Sequence, residues 1–211
     1  TGGVRYFDNK SENTTFIDLP LFTGVFTPTT AFFETSENDV LFKGNVSWQF
    51  GQRDRLYATI SEGYRRGGTN AVPLTGTFAE NPNWQTYDAD NVVNYEIGVK
   101  GQRAGIVYDL SLYYVDWKNP QLTATTNWGF FAVQNGDSAR TMGLEAQVDG
   151  YIGDRFHYTV GYTYTDAELT SDFFAPDNIV TPIALDGTRL PGAPKHMLNW
   201  ALDYTAPVSD S

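Results

Sequence analysis

The chain has 211 residues, with 25 acidic against 14 basic side chains and a net charge of −11. That balance disfavours nucleic acid as a partner, because such binding draws on clustered Lys and Arg. The absence of cysteine removes disulfides and thiolate metal sites, and no run approaches the roughly 20 apolar residues of a membrane helix.

Any membrane reading must therefore be a strand reading. A mean hydropathy of −0.37 does not oppose it, since only alternate residues of a barrel strand meet lipid. Charged residues make up only 18% of the chain and aromatic residues 15%, a composition suited to strands that hide a greasy face. The N-terminus, Thr1-Gly2-Gly3-Val4-Arg5-Tyr6, carries no signal-peptide pattern. An exported protein starting this way is expected to be a processed form or a fragment.

About eight strands follow from the alternation of apolar and polar residues. The first is expected near residues 3–9, with Val4 and Tyr6 on its apolar face. The second, 39–50, sets Val40, Phe42, Val46, Trp48 and Phe50 opposite Leu41, Lys43, Asn45, Ser47 and Gln49. The third, 55–65, aligns Leu56, Ala58 and Ile60. The fourth, 91–101, places Val93, Tyr95, Ile97 and Val99 against Asn94, Glu96 and Lys100. The remaining four are expected near 106–118, 139–151, 155–166 and 195–206. In the sixth and seventh, Glu145, Gln147, Asp149, His157, Thr159 and Thr163 form the polar faces.

The connections fall into two classes that alternate. Segments 51–54, 102–105 and 152–154 are tight turns whose Gly and Asp supply the required backbone angles. Segments 10–38, 66–90, 119–138 and 167–194 read as long loops rich in Thr, Asn, Gly, Pro and aromatics. Short turns at one end and long loops at the other describe an antiparallel up-and-down transmembrane β-barrel, with the loops outside the cell. Aromatics near strand ends (Trp48, Phe50, Tyr113, Tyr114, Trp117, Tyr162, Tyr164) fit rings at the membrane–water interface. The alternation also admits a soluble β-sandwich, carbohydrate-binding or glycoside-processing, with those rings filling the space between two sheets. No internal repeat, heptad or domain boundary is evident.

Specific segments then appear in order: Leu56–Asn70 (LYATISEGYRRGGTN), Asn94–Gly101 (NYEIGVKG), Tyr113–Gln121 (YYVDWKNPQ), Gln134–Glu145 (QNGDSARTMGLE), Gly161–Ala167 (GYTYTDA) and Leu190–Pro194 (LPGAP). The series resembles the barrel half of TonB-dependent outer-membrane receptors, in the siderophore or iron-complex branch, and covers nearly the whole chain. The resemblance implies a 22-stranded barrel closed by an N-terminal plug, which imports a scarce ligand such as a ferric siderophore with energy from the TonB system acting through the plug. It implies outer-membrane lipid as surroundings, transport rather than catalysis, and no cofactor. The chain has no TonB box, plug or aromatic terminal strand, so it is expected to be part of the barrel domain over 1–211.

Site expectations follow from position. Glu62, Glu96, Glu145, Asp149, Lys43, Arg65 and Arg140 are expected on the polar inner wall. Arg65 and Arg66, at a strand mouth, are candidates for attracting anionic ferric chelates, since a guanidinium fork suits carboxylate and phosphate. Trp84, Tyr87, Trp128, Phe130, Phe131, Phe173 and Phe174 lie in long loops, where rings on a rigid scaffold can bind ligand or pack loop against loop. No catalytic constellation stands out. Asp88 with Asp90, or Asp172 with Asp177, are ordinary loop carboxylates, and His157 and His196 have no metal-ligand spacing.

Overall fold

The structure is a computed structural model that describes residues 1–18 and 28–206. Eight long strands form one antiparallel sheet in which sequence neighbours are spatial neighbours. They are β1 (Gly2–Ile17), β2 (Thr29–Gln49), β3 (Arg55–Arg65), β6 (Asp90–Arg103), β7 (Ile106–Lys118), β10 (Ser138–Ile152), β11 (Phe156–Leu169) and β14 (His196–Tyr204). Three of the connections between them carry two-stranded ribbons of their own: β4 (Gly68–Thr69) with β5 (Thr86–Tyr87), β8 (Gln121–Thr125) with β9 (Phe131–Asn135), and β12 (Phe173–Ala175) with β13 (Asn178–Ala184).

The registers sort the side chains cleanly. Trp48 pairs with Leu56, Leu56 with Val99, Val99 with Leu110 and Leu110 with Ala146, so one face is apolar across the sheet. That face is open: Val46 is 74% and Trp200 71% exposed. A soluble sandwich would cover it with a second sheet, and no such layer exists among the described residues. The opposite face is polar and concave, for Tyr57 on β3 and Asn199 on β14 line the same hollow across six strands. β1 and β14 do not pair, so the sheet is an open arc with two free edges.

Strand glycines on both faces sit beneath rings. Tyr57 lies over Gly98 and Tyr113 over Gly143 on the polar face; Tyr108 lies over Gly101 and Tyr158 over Gly150 on the apolar one. Each ring belongs to the residue directly across the ladder. A side chain at the glycine would lift the ring off the sheet.

The turns close one end. Arg103 and Ile106 pair across Ala104 and Gly105, both at positive φ (48° and 82°), as a two-residue hairpin turn requires. In the β2–β3 turn, Asp54 is 5% exposed; its carboxylate accepts from the Tyr108 hydroxyl at 2.9 Å and meets the Arg103 guanidinium at 3.4 Å.

The last six sheet strands lie where the alternation puts them, but β1 and β2 are far longer than expected. Segment 10–38 was expected as a loop, yet much of it is the upper half of a hairpin paired over sixteen positions from Gly2 with Gly44 to Ile17 with Thr29. The reason is a change of environment along the strand. Outward residues run Val4, Tyr6 and then Asp8, Lys10, Glu12; on the partner they run Phe42, Val40 and then Asn38, Ser36, Glu34. Above Tyr6 this outward face turns polar and the apolar alternation ends, although the backbone ladder continues.

Two expected wall residues also change sides. Glu62 and Arg140 share the outward face with Ile60 and Met142, at the loop-side border of the apolar band. Charge is accommodated there because Arg140 is held by Glu168 at 2.5 Å and Asp166 at 3.9 Å, while Glu62 accepts from the Phe42 amide at 2.9 Å. Conversely, Tyr113 and Trp117 point inward rather than forming part of an outer ring of aromatics.

Candidate ligand-facing mouth

At the loop end the polar face rises into a mouth built by three devices. The first is a charge clamp. Arg65 closes β3 and Asp90 opens β6 as direct ladder partners. The Asp90 carboxylate, 3% exposed as a residue, accepts from Arg65 at 2.6 and 3.1 Å and from the Gln121 amide at 3.2 Å. The Gln121 side chain donates to the carbonyls of Arg66 and Asp88 at 2.8 and 3.0 Å. The Arg65 guanidinium also lies 5.5 Å from the Trp117 ring centre, within cation–π range. Arg65 thus braces the mouth while about half of its side chain (53%) stays exposed.

The second device is an amide clasp. Asn70, 8% exposed, donates to the carbonyls of Trp84 and Val133 at 2.7 Å each and accepts from the Val133 amide at 2.8 Å. Asn135 works the same way on Asp88 and Asn119. A short 3-10 turn, Pro82–Trp84, capped by Asn81, delivers Trp84 to the interior.

The third is a shared apolar core. Val72, Trp84, Ala124, Ala132, Ala139, Leu169 and Phe173 are buried together, with Trp117, Leu122, Phe130 and Leu190 packed around them. These residues come from all three ribboned loops and the ends of β7, β10 and β11, so the loops fold as one body. Excluding water from such a patch is the main source of its cohesion.

The expected site residues therefore divide. Trp84 is 1% and Phe173 4% exposed, and Phe130 packs against them, so these rings are enclosed by protein. Phe131 is 79% and Trp128 52% exposed at the loop tops, where Trp128 meets Phe78 edge-on at 5.3 Å. The Trp128 amide is held by Glu80 at 2.8 Å, itself a buried side chain. Phe174 is half-buried on β12. Arg66 and Tyr87 line a polar cleft between the long hairpin and β3, together with Asn9, Ser11, Glu37 and Thr69. The cleft is bridged by the stacked rings of Phe7 and Tyr64 (3.8 Å), an Asn9–Tyr64 hydrogen bond, and Glu37 accepting from the Gly67 amide at 2.8 Å.

Deeper in the hollow the wall is polar and internally paired. The Tyr57 hydroxyl donates to Glu96 at 2.6 Å, and Lys100 meets Asp109 at 2.7 Å. His157 lies 2.9 Å from Asp149, which also accepts from Thr159 at 2.8 Å. Glu96, Glu145 and Asp149 face inward as their alternation requires. Among the described residues no group of three or more His, Asp or Glu is arranged to hold a metal ion.

The sequence reading missed Asp90, Gln121, Asn70 and Glu80 as mouth-builders. Three of them left a signal: Asp90 follows from register opposite Arg65, and Asn70 and Gln121 each end one of the ordered segments. Glu80 acts through a loop contact that has no periodicity.

An apolar outer face, a polar hollow, short turns at one end and a packed loop body at the other define a segment of a transmembrane β-barrel. Residues 1–210 match the model of the TonB dependent receptor-like β-barrel family, and the chain belongs to that family. Among characterised relatives, the pesticin receptor of Yersinia enterocolitica is 24% identical over 139 residues, which is 66% of this chain and 20% of that protein. The ferrichrome outer membrane transporter/phage receptor of Escherichia coli is 32% identical over 118 residues, 53% of this chain and 14% of that one. The fold matches the ferric yersiniabactin uptake receptor FyuA of Yersinia pestis with a TM-score of 0.72 at 18% identity, over 98% of this chain and 28% of that chain. The siderophore receptor PiuA of Acinetobacter baumannii gives 0.66 at 18% identity, over 96% and 28%. The chain spans about a fifth of the length of the first curated relatives it matches, and its sheet is an arc of a larger barrel.

Proposed function

We propose that the chain is part of the barrel of an outer-membrane, TonB-dependent receptor for a ferric siderophore or a similarly scarce nutrient. The observation that carries this is the two-faced sheet. Its open apolar face suits lipid, and its polar hollow leads to a mouth roofed by three mutually packed loops. The names of the relatives, a ferrichrome transporter and a ferric yersiniabactin uptake receptor among them, support iron chelates as the ligand class. In this reading the protein binds and passes its ligand without covalent chemistry. The plug and the TonB system that would drive passage engage parts of a longer receptor to which residues 1–211 contribute barrel wall.

The test is accumulation of radiolabelled ferric chelates by cells that carry the full receptor as their sole outer-membrane iron receptor. Uptake that depends on the receptor and ceases when the TonB system is removed is the expected result. Receptor-independent uptake of every chelate in a panel of hydroxamates, catecholates and citrate would overturn the reading.

A further inference from the structure

We infer that the mouth contains a preformed subsite for an aryl group of the ligand, so that the receptor's substrates are aryl-bearing ferric chelates rather than purely hydroxamate or carboxylate ones. The inference rests on the receptor reading above and goes on to name the ligand chemistry.

The subsite is a cavity of about 530 Å³ between the inner wall and the β12–β13 loop. Its wall side is made by Trp117 on β7, Thr141 on β10 and Ala167 on β11, all inward-facing by register. The loop side brings Phe173, Ile183 and Leu190, and Leu122 enters from β8. The wall hollow below it and the Arg66 cleft are lined chiefly by polar side chains; this one is chiefly apolar, with Gln121, Thr123, Thr141, Thr165, Thr188 and Arg189 as its polar residues. A cavity of that size, greasy with a few polar atoms, suits a flat ring carrying oxygen substituents.

Two features fix its shape before any ligand arrives. The Arg65 guanidinium lies over the Trp117 ring, 5.5 Å from its centre, and Asp90 holds that guanidinium in turn. Leu190 is drawn to the wall by its amide, which donates to the Ala167 carbonyl at 2.9 Å. Preformed walls spare the ordering cost of binding. Arg189 stands at the border, with one donor on the Ala193 carbonyl at 3.0 Å. Its planar cation can meet both the charge of an anionic aryl chelate and the ring face. A hydroxamate or citrate complex presents no aromatic plane to this cavity.

The experiment uses the full receptor, purified in detergent, with three probes: ferric tris-catecholate, ferric tris-hydroxamate and ferric citrate. Two variants fill the cavity from opposite sides, Thr141→Trp from the wall and Ala184→Leu from the loop, and heat-modifiable gel mobility verifies that each is folded. The wild type is expected to prefer the tris-catecholate. At least one folded variant should weaken that binding by roughly tenfold or more while leaving any binding of the other two chelates within about twofold. Unchanged tris-catecholate affinity in the folded variants, or equal loss for all three probes, overturns the subsite while leaving the receptor reading intact. Binding of citrate or hydroxamate in preference to catecholate does the same. A wild type that binds none of the three overturns both.

Discussion

Gly143 lies beneath the ring of Tyr113, its partner across the β7–β10 ladder, and a Cβ placed there would stand 2.5 Å from the Tyr113 hydroxyl oxygen. It would also collide with the Tyr164 carbonyl oxygen. Gly98 differs in one respect, because a Cβ there would meet only the Tyr57 ring among its nearest neighbours. A ring can be removed by mutation; a carbonyl cannot. Gly98→Ala is therefore expected to cost about 1–3 kcal/mol by overpacking, and Tyr57→Ser in the same chain should recover most of it. Gly143→Ala should cost at least as much and resist rescue by Tyr113→Ser. Denaturant titration of the folded barrel in lipid distinguishes the cases, and full rescue at Gly143 would contradict the packing described.

Arg65 and Arg66 are adjacent in sequence but differ in employment. Removing Arg65 strands the buried Asp90 carboxylate, so Arg65→Ala should lower stability by about 1–3 kcal/mol, less than a fully buried pair because the guanidinium is half in solvent. Arg65→Ala with Asp90→Ala should be less destabilising than the sum of the single changes. Arg66→Ala should leave stability within about 0.5 kcal/mol. It should slow the capture of anionic chelates, and that effect should shrink as salt is raised. Melting curves and stopped-flow association at two ionic strengths measure both.

Trp84 is the centre of the loop body rather than its surface. Trp84→Ala should cost about 3–5 kcal/mol locally. Its consequence should be confined to the loops, since the sheet's ladders do not depend on it. Hydrogen exchange should show protection lost together in 68–87, 121–135 and 173–190 while β6, β7 and β10 keep theirs. Loss confined to the first of these segments would refute a shared core.

Ala104 occupies a left-handed position at φ 48° that favours glycine. Ala104→Gly or Ala104→Asn should stabilise the turn by about 0.5–1 kcal/mol, read as a higher unfolding midpoint with unchanged ligand binding.

Much of this architecture is visible in the amino-acid order. Leu56, Ala58 and Ile60, or Leu144, Ala146 and Val148, declare their strands because one side of each meets an apolar medium along its whole length. Asp8, Lys10 and Glu12 declare nothing, because the outward face of the hairpin that holds them is wet and gives no apolar alternation to read. Charge alone points Glu62 and Arg140 to the wet wall, whereas their spacing from Ile60 and Met142 gives the outward face. Trp84 and Phe173 were assigned by loop membership. Their burial arises from three segments far apart in sequence, a relationship without local signature. The contrast in surroundings within the mouth, Arg65 against Arg66 and Trp84 against Trp128, emerges only in three dimensions.

The common interior of the three loops has a consequence for how such a receptor can change. A surface whose loops folded separately could be revised one loop at a time, each acquiring new contacts without regard to the others. Here Asn70 reads the backbone of two loops, and Phe173 shares one buried core with Trp84 and Ala132. A transplant of β8–β9 alone from a relative would arrive with the wrong half of an interlocking surface. Exchange of cargo preference between receptors of this architecture should therefore succeed when the loops after β3, β7 and β11 travel as a set.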